Sequence, residues 1–225
     1  MRIGIIATVA AAVSLAGCGQ SVQRPSDAAT PSRPGDCIET RCVAAYQQEN
    51  APYWTDQHQR FCPSSVLLEA WGTEPEGAYS VAFRNGQFSK TGLNGASMKA
   101  LPAGLMNAAL AELVYYSFTA GAGFEPTKMT AIDPARIEGQ RYEAFELAKS
   151  AAGRSVTLYK NAETGLIELV QIAEAKGCRW MARSYNPRYQ DRLQRMIPRK
   201  IDIFDIQQGL SAKKLLIQFD YIEVQ

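Results

Sequence analysis

The chain has 225 residues, with 24 Lys+Arg against 22 Asp+Glu, one histidine and a formal net charge of +2. That balance gives no global field that would recruit nucleic acid, and no dense block of lysine or arginine interrupts it. The size fits one sizeable domain plus a tether.

The N-terminus carries the most informative motif. The uncharged run Ile3–Gly17 follows Arg2 and ends in Leu15-Ala16-Gly17-Cys18. It has the n-region, h-region and small-residue cleavage site of a secretory signal. The run is shorter than the roughly 20 residues a membrane span requires. Leucine three positions before a cysteine that follows small residues resembles the lipobox of bacterial lipoproteins. That resemblance implies cleavage before Cys18, a diacylglycerol on its thiol and acylation of the new amine. It makes 1–17 a signal peptide and anchors the mature chain by lipid rather than by a span. Gly19 stands where an inner-membrane retention signal would have Asp, which implies the outer membrane of a Gram-negative bacterium, facing the periplasm. Residues 19–36 are rich in Pro, Ser, Ala and Gln, with Val22 as the only large apolar residue. This composition predicts a disordered tether running from the lipidated Cys18 to Asp36.

An exported chain sees an oxidising compartment. Once Cys18 is acylated, Cys37, Cys42, Cys62 and Cys178 remain, an even set that predicts two disulfides with three possible connectivities. The expected pairing is Cys37–Cys42, closing a small ring, with Cys62–Cys178 clamping distant parts. The spacings lack the paired short knuckles of a zinc site, and no cofactor is expected.

From residue 37 the pattern predicts one domain to the C-terminus. Ile38–Glu49 places Ile38, Cys42 and Ala45-Tyr46 on one helical face and predicts a short helix ended by Pro52. Strands are expected over Ser64–Trp71 and around Tyr79, Val81 and Phe83, with Asn85-Gly86 as a hairpin turn. Pro102–Phe118 predicts a helix that is apolar nearly all round, Leu105, Leu110 and Leu113 included, and therefore buried. From residue 127 the period is 2. Strands are predicted over Thr127–Asp133, Gln140–Ala148, Arg154–Tyr159, Leu166–Ala173, Arg179–Tyr185, Lys200–Ile206 and Lys213–Val224, and their short connections make them antiparallel. Leu166–Ala173, apolar on both faces, should be covered on both. The last strand sets Leu215, Ile217, Phe219 and Tyr221 on one face. The spaced basic stretch Arg188…Arg192…Arg195…Arg199-Lys200 reads as a solvated loop or edge.

The C-terminal half joins Val156-Thr157-Leu158-Tyr159 and Glu163-Thr164-Gly165-Leu166-Ile167 to Pro198-Arg199-Lys200-Ile201 and a last strand containing Phe219-Asp220-Tyr221. With the lipobox, tether and helix-then-sheet order, this resembles the Lol-type lipoprotein carriers and receptors. The resemblance implies an α+β, mainly β fold: a curved antiparallel sheet (incomplete β-barrel) with helices on its concave face, enclosing an apolar cavity for acyl chains. Leu105, Leu110 and Leu113 facing Leu215, Ile217, Phe219 and Tyr221 would line that cavity, or would fill it as core. No counterpart of the receptors' protruding leucine loop is present.

No catalytic pattern emerges. His58 sits in the polar stretch 55–60, expected as an exposed loop. No Gly-x-Ser-x-Gly elbow, phosphate loop or histidine-based metal spacing occurs. The expectation is a non-catalytic lipoprotein that binds a lipid or acylated partner and touches the membrane through its anchor, with no nucleic acid partner. An assembly lipoprotein acting through protein contacts is the alternative, and an envelope hydrolase the third.

Overall fold

A computed structural model describes residues 37–47, 53–62, 68–74, 77–84, 87–92, 107–120, 129–147, 154–175, 177 and 179–225. In chain order these form β1 (Ile38–Tyr46), β2 (Tyr53–Phe61), β3 (Leu68–Glu74), β4 (Gly77–Arg84), β5 (Gln87–Gly92) and the helix α1 (Ala108–Thr119). Next come β6 (Met129–Ile137), β7 (Gln140–Leu147), β8 (Ser155–Asn161), β9 (Ile167–Ala173) and β10 (Arg179–Tyr185). A small hairpin, β11 (Arg188–Gln190) with β12 (Arg195–Ile197), precedes β13 (Lys200–Asp205) and β14 (Lys214–Val224).

Twelve strands make one antiparallel sheet in the order β5-β4-β3-β2-β1-β14-β13-β10-β9-β8-β7-β6. The sheet is not closed. Its curvature follows from what α1 touches: β9, β10 and β13 on one side and β3 on the other. On a flat sheet β3 and β9 would lie about 29 Å apart, at roughly 4.8 Å per strand. A helix about 10 Å across can reach both only if the sheet curls around it. The expected curved sheet with a helix on its concave face is the observed architecture, with one α-helix among the described residues.

Two cores result. On the concave face, α1 buries Leu110, Leu113, Val114 and Phe118 against Phe61, Leu158, Ile172, Ile203, Ile217 and Phe219. On the convex face a smaller cluster joins Ile137, Tyr142, Leu169, Met181, Phe204 and Ile206. β9 feeds both, with Val170 and Ile172 in one and Leu169 in the other, as its two-faced apolar run predicts. The turn from β6 to β7 carries Glu138 and Gly139 at φ 50 and 85, the two positive values a tight hairpin needs. Among the described residues, β6 lies at the sheet edge and pairs only with β7. Its register shifts between Ile132 and Ala135, where Pro134 has no N–H to offer, which blunts the edge against further pairing.

Several expectations are corrected. Ile38–Glu49 is not a helix: Ile38, Thr40, Cys42 and Ala44 alternate into the core along β1, which pairs with β2 and β14. The stretch 55–60 is not a loop but the body of β2. The strand expected over Ser64–Trp71 is β3, four residues later at its start, with 63–67 outside the described residues. α1 begins six residues later than expected. Asn107 is its N-cap, extended at φ −93, with its side-chain oxygen accepting from Ala109 N at 2.9 Å, which satisfies one orphan donor of the first turn. Pro102 and Leu105 lie outside the described residues. So does the Asn85-Gly86 turn, although its neighbours Arg84 and Gln87 pair.

The disulfide also differs. Cys37 bonds Cys62, and Cys42 is a free, buried thiol. Strand pairing explains this: Ile38 sits opposite Phe61, so residues 37 and 62 meet just beyond the ladder, while Cys42 points into the core. Cys62 is therefore not available to Cys178, which lies outside the described residues, as do Cys18 and the expected tether.

Candidate functional site

The side chains expected to line a cavity fall into three groups. Leu110, Leu113, Ile217, Phe219 and Tyr221 come together in the concave core. They are packed there: Phe118 stacks on Phe61 with ring centroids 4.7 Å apart and meets the ring of Tyr221 at the same distance. Leu105 lies outside the described residues. Leu215 is on the other face, against the convex cluster. The cause is a register shift between β13 and β14: Ile203 opposes Ile217, but Phe204 opposes Leu215, leaving Leu216 as the extra residue. A bulge inverts the alternation, so Leu216 packs on the concave core in place of Leu215.

Among the described residues, an open volume lies beyond the C-terminal end of α1. Two lobes of a groove share Leu166, Ile167 and Met196. The inner lobe, about 220 Å³, is walled by Ser117, Glu168, Arg183, Tyr185, Pro187 and Pro198. The outer, about 570 Å³, adds Ala120, Met129, Phe145, Lys160, Gln194 and Arg195. The outer lobe alone falls within the roughly 300–1,000 Å³ typical of small-molecule sites.

Each wall has a local cause. Gly165 turns the chain at φ 70, while Asn161 Oδ1 accepts from the backbone of Glu163 at 2.8 Å, so Leu166 and Ile167 are delivered at the rim. A register shift between β8 and β9 sets Ile167 opposite Lys160 and on the concave side. Glu168 then faces the other way, accepting from Tyr142 Oη at 3.3 Å and Asn161 Nδ2 at 2.9 Å. Met196 and Pro198 come from the β11–β12 hairpin, rooted by Leu193 and Ile197 in the concave core.

Polar side chains are numerous in the groove: Ser117, Glu168, Arg183, Ser184, Tyr185 and Asn186 line the inner lobe, and Lys160, Gln194 and Arg195 the outer. Ser117 is buried and its Oγ has no hydrogen-bond partner among the described residues, whereas Thr119, two residues on, donates to Tyr115 O at 2.7 Å. A buried hydroxyl without a partner costs about 1–3 kcal/mol, and Ser117 stands in the groove wall. Arg183 pairs with Glu138 and lies over the Tyr185 ring at 5.3 Å. Lys160 pairs with Glu143 at 3.1 Å. The groove thus combines apolar walls with polar side chains and the cationic groups of Arg183, Lys160 and Arg195.

A second polar feature lies elsewhere on the concave face. Tyr221 Oη donates to Gln59 Oε1 at 2.9 Å, Gln59 Nε2 to Gln57 Oε1 at 3.1 Å, and Gln57 Nε2 to Tyr46 Oη at 2.8 Å and Thr55 Oγ1 at 2.9 Å. All five residues are buried. Burial holds the Tyr221 phenol well above its ordinary pKa and pushes the Cys42 thiol up. His58, on the outer side of β2, is exposed, stacks on Trp71 at 5.7 Å and lines neither lobe.

Sequence reasoning missed Leu166, Ile167, Met196 and Pro198 as site residues. The signal was present: an apolar pair straight after Thr164-Gly165, and Met196-Ile197-Pro198 inside an otherwise basic stretch.

No protein-family model and no curated protein matches the sequence. Solved structures do match. A LolA superfamily protein from Nitrosomonas europaea superposes with a TM-score of 0.57 at 14% identity, covering 85% of this chain and 86% of that one. A domain assigned to outer membrane lipoprotein sorting, from Vibrio parahaemolyticus, gives 0.50 at 7% identity, with 86% of each chain covered. A DUF1329 family protein from Desulfovibrio piger gives 0.50 at 6%, again over 86% of each. The body of this chain therefore has a Lol-type fold.

Proposed function

We propose that this protein is a lipoprotein of the Gram-negative envelope, anchored through Cys18 to the outer membrane and facing the periplasm. It holds a lipid, or the acyl portion of a partner, in the groove at the end of α1 and performs no catalysis. Residues 1–17 serve as signal peptide, 18–36 as lipidated tether and 37–225 as the binding body. The observation that carries this reading is the groove: walls of Leu166, Ile167, Met196, Pro187 and Pro198 with polar and cationic side chains around them, opening at the end of a helix seated in a curved sheet. An acyl chain fits the walls of Leu166, Ile167 and Met196. The neighbour named for outer membrane lipoprotein sorting supports the same class of ligand.

Native mass spectrometry of the full protein taken from its own membrane tests it. A bound lipid should be present in the parent and lost in Ile167→Asp and Met196→Asp, with the fold kept by circular dichroism. No lipid in the parent would overturn the groove's role. Palmitate labelling abolished by Cys18→Ser tests the anchor separately.

The packing between α1 and β14 favours a second reading, an assembly lipoprotein acting through protein contacts with a filled interior. That reading predicts no bound lipid and unchanged partner binding in both groove variants.

A further inference from the structure

The β11–β12 hairpin stands apart from the main sheet as a two-stranded ribbon. Its turn is fixed by Gln194 Nε2 donating to Asp191 O at 2.6 Å and Tyr189 Oη donating to Gln194 Oε1 at 2.9 Å. Arg188, Arg192 and Arg195 on it are all exposed, and Tyr189 is 54% exposed. Ile222, 57% exposed, lies alongside, where Arg199 NH1 donates to its carbonyl at 3.1 Å. Among the described residues, the carboxylates at this end are Asp191 and Glu223, with Glu39 paired to Arg60.

The place where segment 1–36 joins the body is at the same end. Glu39 and Gln225 exchange backbone hydrogen bonds of 3.1 and 2.7 Å, and Gln190 Nε2 donates to Val224 O at 2.9 Å. Cys37 thus enters beside the hairpin. The outer lobe of the groove opens here too, with Gln194, Arg195 and Met196 as one wall.

We propose that this hairpin end is a second membrane contact, an arginine and tyrosine patch that docks on anionic phospholipid and turns the mouth of the groove toward the bilayer. The proposal rests on the lipoprotein reading above. Residues 19–36 span at most about 60 Å when extended, so the anchor alone leaves the body free to face any direction. Arginine forks bind phosphate in bidentate fashion, and tyrosine places an apolar ring and a polar tip at an interface. Charge attraction acts only within a Debye length of about 8 Å at physiological salt, so the patch orients the body only when it lies against the surface. Each guanidinium there strengthens partition by about fivefold. The exposed side chains of Tyr189 and Ile222 suit a lipid interface better than a solvated loop.

The test uses the acylated full chain reconstituted in vesicles of phosphatidylcholine alone, or of phosphatidylethanolamine with about 30% phosphatidylglycerol. Hydrogen exchange is followed in peptides covering residues 188–197. Exchange should slow at least about threefold on the anionic vesicles at low salt and return to the neutral-vesicle rate at high salt. Replacing Arg188, Arg192 and Arg195 together by Gln should abolish the protection, while replacing all three by Lys should keep most of it. Equal exchange on both vesicles, or protection that survives the Gln replacements, would overturn the proposal. So would protection that arises only when soluble envelope proteins are added, which would assign the patch to an acidic protein. Failure of the anchor reading looks different: the chain would not float with neutral vesicles at all.

Discussion

The concave face of the sheet has two halves of opposite chemistry. On β8, β9, β10 and β13 it presents Val156, Leu158, Val170, Ile172, Ala182, Ile201 and Ile203. On β1 and β2 it presents Thr40, Thr55, Gln57 and Gln59 among Ile38, Cys42, Ala44, Tyr46 and Phe61, and all are buried. The aliphatic half gains stability in proportion to area and tolerates exchange of one branched residue for another. The polar half gains less per residue but is far more specific. A slip of one residue between β1 and β2 would turn the glutamines outward and break every link of the ladder. One half drives collapse, and the other fixes which strand pairs with which.

Phe118 stands where the halves meet, stacked on Phe61 and against Tyr221. Phe118→Ala should therefore have the largest effect, a loss of about 3–5 kcal/mol in urea unfolding. A loss below about 1 kcal/mol would show that α1 does not join them.

The next effect tests how the aliphatic half tolerates its one ion pair to the helix. Glu112 is buried on α1, and Arg154 NH1 donates to it at 3.0 Å while its Nε donates to Glu174 at 3.1 Å. Burial raises the Glu112 pKa, and Arg154 opposes that rise. A carboxyl with a raised folded pKa contributes stability below its unfolded pKa and loses it as pH rises through the folded value. Arg154→Leu removes the opposing charge and should cost about 3 kcal/mol at neutral pH. The deficit should shrink as pH falls through the raised folded pKa values of the two proteins, both above the ordinary carboxyl value, because the carboxyl is then protonated in both. A deficit that stays flat from neutral to acid would mean that Arg154 acts by packing alone.

Smaller again is Gln59→Leu, which leaves the Tyr221 hydroxyl without its acceptor and Gln57 Oε1 without its donor. The expected cost is about 1–3 kcal/mol. Ile203→Val on the other half should cost about 0.5–1.5 kcal/mol. Adding Tyr221→Phe to Gln59→Leu should recover part of the loss, because it removes the orphaned hydroxyl. Strictly additive losses in thermal melts would argue against a connected ladder.

The same contrast decides what was legible in the sequence. Arg154–Tyr159 alternates apolar and polar residues and Leu166–Ala173 is apolar on both faces, and these strands, like those at Arg179–Tyr185 and Lys200–Ile206, fall close to where the sequence puts them. β2 alternates Thr55, Gln57 and Gln59 with Asp56, His58 and Arg60, so no hydrophobic period exists. Its inward face is identified only by partners far along the chain, Tyr46 and Tyr221. β1 misleads because Ile38, Cys42 and Tyr46 also fit a helical stripe, and Thr40 is buried at the position that decides between the two. Leu215 was misplaced because a bulge leaves no mark in the alternation. The groove was hidden because its walls come from a turn and from strands of three residues, too short to carry a period. The nearly all-apolar α1 was plain, because burial on every side needs no phase.

Cys42 offers the gentlest probe of the boundary. It lies on β1, opposite Gln57 on one side and Tyr221 on the other, and its side chain belongs to the concave core. Cys42→Ala removes one buried atom and should cost only about 1 kcal/mol, as small core deletions do. The thiol itself reports more. Burial raises its pKa, so little thiolate forms near pH 8, and a reagent reaches it only when β1 separates from its neighbours. Labelling read at the Cys42 peptide by mass spectrometry should be at least about a thousandfold slower in the folded protein than in denaturant. Gln59→Leu should raise that rate more than Ile203→Val does, even where their stability losses are matched by added urea, because only the first loosens β1 from β2. Equal rates at matched stability would mean that Cys42 is exposed by global unfolding alone, and that the polar half adds no local rigidity of its own.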